Sequence, residues 1–221
     1  MNIINDEWDC LREVLFTSTA SSWSGKELLY LKNAFFDIER KWQKALDEIK
    51  EPRFIILGEA PLYGNQGSYI YSTKSPATAF LRPSDFPNLH EQREKNCKSH
   101  MLDTMRTQGI IVVDLFPYAL NEIDTPTMDY RKIQDKPEYS KLLKNSFEVF
   151  TKKKILKVLS KGSSVSLLIR YKRIMRHVEP LIESLGIEKG TKSDNYMCIG
   201  SNNMGIDKKI FWAALNGNTS V

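Results

Sequence analysis

The chain has 221 residues, enough for one large domain that buries its own core without disulfide or metal staples. Apolar residues make up 41% and charged residues 27%, a balance that excludes a disordered or low-complexity protein. Lys and Arg outnumber Asp and Glu by 32 to 27, and the resulting net charge of +5 permits a polyanionic partner without requiring one.

The first segment, MNIINDEWDCLREVLF, carries acidic residues where a secretory signal needs positive charge, and it predicts a short helix around residues 5–16. Residues 26–49 predict the clearest helix: Leu28, Leu31, Phe35, Ile38, Trp42, Ala45 and Ile49 alternate spacings of three and four, and Ser24 with Glu27 forms a capping box. The pattern then changes. RFIILG at 53–58, GIIVVDLFP at 109–117, SVSLLIRY at 164–171 and NYMCIGS at 195–201 are short apolar runs of the kind buried on both faces of a parallel sheet. Helices are expected between them at 91–107, within 137–160 and at 173–185, and a last one at 205–215. Pro180 bends the third of these or marks a restart. The alternation predicts one α/β domain over 1–221, a three-layer α/β/α fold with a central four-stranded parallel sheet and residues 1–50 packed on it as extra helices.

Cys10, Cys97 and Cys198 are odd in number and widely separated, and His90, His100 and His177 form no HxH or HxxxH cluster, so neither a metal nor a disulfide framework is expected. Reduced thiols and the lack of a membrane-length apolar run suit a cytoplasmic protein. No GxGxxG or GKS/T pattern occurs. In a doubly wound sheet the ligand sits at the carboxyl ends of the strands, which directs attention to the residues after each run. Those are Glu59 within GEAP, Asp114, the basic cluster Arg170, Lys172 and Arg173, and the loop Ser201, Asn202, Asn203, Met204, Gly205.

These strand ends resemble the uracil-DNA glycosylase superfamily. GEAP at 58–61 is similar to its first motif, NQGSYIYS at 65–72 to the segment that brings an aromatic ring under the flipped base, and VVDLFP at 112–117 to its second-strand motif. The likeness covers roughly residues 50–215. It implies a DNA glycosylase acting on DNA as a monomer, with no cofactor, since three scattered cysteines cannot hold the four-cysteine iron–sulfur cluster of related branches. The family's water-activating residue usually falls one place later, at Ala60 here, which leaves Glu59 as the carboxylate that steadies charge on the sugar and orients water. The family's loop histidine is replaced by SNNMG, so Asn202 or Asn203 would stabilise the leaving base. Tyr69 or Tyr71 would stack on the base, Tyr63 would form a pocket wall, and Met204 would fill the gap left in the duplex. Arg170, Lys172, Arg173 and Lys208 would meet the DNA backbone.

Asp114 stands where uracil-reading relatives carry an asparagine. An ionised aspartate only accepts hydrogen bonds, which suits the cytosine amine better than the uracil carbonyl. This predicts a modified cytosine, such as the hydroxymethylated or glucosylated base of phage DNA, as substrate ahead of uracil, and a role in defence against phage. The same residues have plainer readings. Glu59 also suits a helix N-terminus, Asp114 a turn cap, Tyr69 and Tyr71 core packing, and RYKRIMRH at 170–177 a solvated face. The competing functions are a repair glycosylase for uracil, a DNA-binding module of this fold without chemistry, and a nucleotide-processing enzyme.

Overall fold

The computed structural model describes residues 3–19, 21–63, 68–73, 80–87, 89, 97–129, 133, 136–189, 195–201 and 205–217. Four short strands form its centre: β1 (Phe54–Gly58), β2 (Ile110–Asp114), β3 (Ser166–Ile169) and β4 (Tyr196–Cys198). All pair in parallel in the order β2-β1-β3-β4, with helices flanking the sheet in a three-layer α/β/α arrangement. Every residue of β1 is buried, as its position in the sheet interior and its unbroken apolar run require. Gly58 pairs with Asp114, Leu57 with Ile169, and Ile169 with Cys198, so the strands end together along one edge.

The helices are α1 (Ile3–Ser18), α2 (Gly25–Glu48), α3 (Cys97–Thr107), α4 (Pro137–Ser146), α5 (Lys152–Lys161), α6 (Met175–Glu183) and α7 (Lys208–Leu215). The expected capping box opens α2: Glu27 N donates to Ser24 Oγ at 3.2 Å and Ser24 N to Glu27 Oε2 at 2.9 Å. Leu31, Phe35, Ile38, Trp42 and Leu46 then form its buried stripe. Burial of each large side chain contributes about 1.5–3 kcal/mol, which is why α2 stays attached along its length. The helix expected from residue 91 is described from Cys97. Pro180 lies inside α6 without ending it. Residues 137–161 form one continuous helical rod, since α4 runs through a π turn at Phe147–Thr151 into α5. That extra residue per turn aims Thr151 at the sheet, where its Oγ1 donates to Leu115 O at 2.9 Å and ties the rod to the exit of β2.

β2 is an edge strand, and its outward backbone groups need partners. Val112 N donates to Tyr71 Oη at 2.6 Å, and Trp42 Nε1 donates to Val112 O at 2.9 Å. Among the described residues no helix is long and apolar enough to cross a membrane.

Candidate functional site

Glu59 leaves β1 at the carboxyl edge and is only 1% exposed. A carboxylate that deep must be paired. Tyr139 Oη donates to Oε1 at 2.7 Å, and Arg173 forms an ion pair with Oε2. Tyr139 is itself wedged between Phe116 and His177, with ring centroids 5.2 and 5.0 Å away. Three separate elements therefore hold Glu59 in one orientation: the end of β1, the start of α4 and the turn before α6.

Asp114 leaves β2 beside Gly58, and the pair explains the glycine. A Cβ on Gly58 would come to 2.5 Å from Asp114 Oδ1 and 3.0 Å from the Phe80 ring, so any larger residue would fill the space over the carboxylate. Asp114 keeps some surface as a residue, and its carboxyl lines the narrow space walled by Tyr69 and Phe80. Burial pushes that carboxyl up to about 7; the charge of Lys154 and the nearby Tyr69 hydroxyl oppose the rise, and Glu39 adds to it. The Tyr69 hydroxyl lies within electrostatic reach of Asp114 but meets no described partner at good hydrogen-bond geometry. Tyr69, Asp114, Ala60, Pro61, Leu62, Ile70, Phe80 and Val112 enclose a cavity of about 10 Å³, room for one water and no more.

Both carboxylates act electrostatically on Tyr171, at the exit of β3. Burial raises its phenol, the neighbouring Arg170 and Arg173 oppose the rise, and both Glu59 and Asp114 add to it. The guanidinium carbons of Arg170 and Arg173 lie 4.8 and 4.4 Å from the Tyr171 ring centroid, and Phe80 packs edge-on at 6.2 Å.

Other expected site residues have different roles. Arg170 is only 4% exposed and its Nε donates to Phe80 O at 2.9 Å, so it holds the cavity wall instead of reaching for a phosphate. Tyr71 spends its hydroxyl on Val112 and does not line the Asp114 cavity. Tyr63 donates to Asp37 Oδ2 at 2.9 Å, is pushed up to about 12 by burial and that bond, and also lies off the cavity. Lys172 and Lys208 are exposed, at the exits of β3 and β4, and Arg173 is partly exposed. Asn202, Asn203 and Met204 lie outside the described residues. Their flanks form a closed stem: Gly200 bridges Ile206, and Ser201 N donates to Gly205 O at 2.9 Å. Among the described residues no group of His, Cys, Asp and Glu is arranged to hold a metal.

Phe80, Tyr139 and Tyr171 complete the site. Tyr171 was readable as a residue at the end of the third apolar run, though without an assigned role. Phe80 and Tyr139 had no such signal, since their partners are distant in the chain. A larger cavity, about 560 Å³, lies elsewhere, between α2 and α3 at the start of β2. Its cations pair with acids on their own helices: Arg40 and Lys41 with Asp37, and Arg106 with Asp103. No protein-family model, curated protein or solved structure matches the chain.

Proposed function

We propose that the chain is a DNA glycosylase, which draws a pyrimidine nucleotide out of the stack and hydrolyses its N-glycosidic bond. The observation that carries this reading is the placement of two carboxylates, Glu59 and Asp114, on adjacent strand ends, with Tyr171 at the exit of β3 within electrostatic reach of both. Glu59 faces the sugar and Asp114 the base. As the C1′–N1 bond breaks, its electron pair leaves with the base and positive charge grows on the sugar. Glu59 stabilises that charge and takes a proton from the water that adds to C1′. Arg173 has to release Oε2 for this, and a DNA phosphate competes for its guanidinium. Base entry requires the Phe80 and Leu62 walls of the cavity to part, because the enclosed space is about 10 Å³.

The test is base release from oligonucleotides carrying uracil, cytosine, hydroxymethylcytosine or glucosylated hydroxymethylcytosine, as single strands and duplexes, with alkali revealing abasic sites. A modified cytosine stands first among these candidates, because excising plain cytosine would destroy the host genome. Glu59→Gln is expected to slow release by about 100-fold or more while DNA binding persists. If no member of the panel yields abasic sites, the glycosylase reading falls.

A second reading has its own support. Both oxygens of Glu59 are already engaged, and Glu59 is not among the described residues lining the small cavity. A module that captures a flipped base without cutting it fits this closed arrangement. It would bind DNA carrying one of these bases and leave every strand intact.

A further inference from the structure

Asp114 and Tyr69 share a cavity in which neither has a full set of hydrogen bonds. Tyr69 is 2% exposed and its hydroxyl is without a described partner of good geometry. The described titratable groups within electrostatic reach of Asp114 come from four elements: Tyr69 and Tyr71 from the segment at 68–71, Glu39 from α2, Lys154 from α5, and Tyr171 after β3. Lys154 is the one cation among them, and it is committed to Glu39 Oε1 at 2.5 Å and to the face of Trp42 at 4.0 Å. No described cation pairs with Asp114 itself. An enclosed carboxyl without a counter-ion favours its neutral form.

We propose that Asp114 reads the base as a neutral carboxylic acid, its O–H donating and its carbonyl accepting along one pyrimidine edge, so that loss of this single proton closes the site to pyrimidines. The identity of the ligand as a base in DNA rests on the glycosylase reading above. The match is specific. On cytosine the acid O–H donates to N3 and the carbonyl accepts from the N4 amine; on uracil the O–H donates to O4 and the carbonyl accepts from N3–H. An ionised carboxylate sets an acceptor against an acceptor on either base. The expectation that uracil is a poor substrate took Asp114 as ionised. As an acid it accepts both edges, and the choice between them passes to the cavity walls. The upward push of the carboxyl to about 7 places this switch near neutrality. Tyr69 is a positioning residue: its hydroxyl stabilises the ionised form of Asp114 and holds the switch lower than burial alone would.

The deciding measurement is the rate of base release from pH 5 to 9 in single turnover, with the full chain in saturating excess over the oligonucleotide. Wild-type release is expected to fall about tenfold per pH unit above its midpoint. Tyr69→Phe moves that midpoint to higher pH. Asp114→Asn, whose amide donates and accepts at any pH, abolishes the alkaline limb and holds its rates at pH 6 and 9 within about twofold of each other. A limb that persists in Asp114→Asn, or a midpoint unmoved in Tyr69→Phe, overturns the proposal. If the wild-type chain releases no base, the glycosylase reading has failed and binding decides this one separately. The probe is then an oligonucleotide carrying 2′-fluorodeoxycytidine or 2′-fluorodeoxyuridine, against the same strand with a tetrahydrofuran abasic site. A preference for the pyrimidine strand that vanishes above neutral pH in wild type, and is pH-independent in Asp114→Asn, upholds it. A preference independent of pH in the wild-type chain defeats it.

Discussion

Glu27 begins the capping box of α2 and also reaches across to the loop at 121–128. It accepts from Ser24 N at 2.9 Å, Ser24 Oγ at 2.7 Å, Thr127 N at 2.9 Å and Thr127 Oγ1 at 2.9 Å. Burial alone would raise its carboxyl, but the donors from Ser24 and Thr127 outweigh burial and bring it down to about 2. Because the folded value lies below the unfolded one, the stability Glu27 contributes is present above about pH 4.5 and is lost as pH falls toward 2. Glu27→Gln should therefore cost about 2 kcal/mol at pH 7, with the difference from wild type shrinking below pH 4, as read by urea denaturation. Asp114 has the opposite sign. Its folded value is raised, so its contribution to stability is fully present below the unfolded value near 4 and is lost as pH rises through about 7. One carboxylate is surrounded by donors and the other by hydrocarbon and aromatic edges, and the surroundings decide the difference.

At the scale of elements, the rod formed by α4, the π turn and α5 links the site to the helical layer. Lys154, one turn past the π turn, crosses to Glu39 on α2 and lies over Trp42 and Phe150, at 4.0 and 5.1 Å from their ring centroids. Both charges are largely buried, so removing one leaves the other uncompensated. Lys154→Met should cost about 3 kcal/mol, and the double variant with Glu39→Gln should recover part of that loss. A double-mutant cycle by chemical denaturation checks both figures, and strict additivity would count against the pair. Period and composition made these elements legible: the three-four spacing of Leu31, Phe35, Ile38 and Trp42 marked α2, and the unbroken run FIILG marked β1. The π turn carries no such mark, because Phe147 and Phe150 fit an ordinary helical stripe. At the site, the position of Glu59 and Asp114 after apolar runs was readable, since chain order sets which residues follow a strand. The partners Tyr139, Arg173 and Phe80 were not, because contacts across 80 or more residues depend on how helices pack and leave no local period.

Taken as a whole, the molecule is mildly basic, and two exposed lysines, Lys172 after β3 and Lys208 at the start of α7, lie beyond the carboxyl ends of the strands. On the proposed DNA-binding reading, Lys172, Lys208 and a freed Arg173 would give about three phosphate contacts, and log affinity for a single strand should fall with log salt at a slope near −2. Fluorescence anisotropy between 50 and 200 mM salt measures this, and Lys172→Glu with Lys208→Glu should flatten the slope by more than half. An unchanged slope in the double variant would move the DNA path to another face. The edge of β2 sets a further condition on how that path is entered. Tyr71 and Trp42 occupy the backbone of Val112, and Tyr71 sits two residues from Tyr69 in the same segment. Peeling that segment away to admit a base would also strip Tyr71 from the strand, leaving a bare hydrogen-bonding edge on which a second chain can stack. Parting at the Phe80 side leaves the plug in place. If the proposed reading holds, the fold would couple the entry route to protection against self-association: the wall that is safe to open would be the one that does not also guard the sheet.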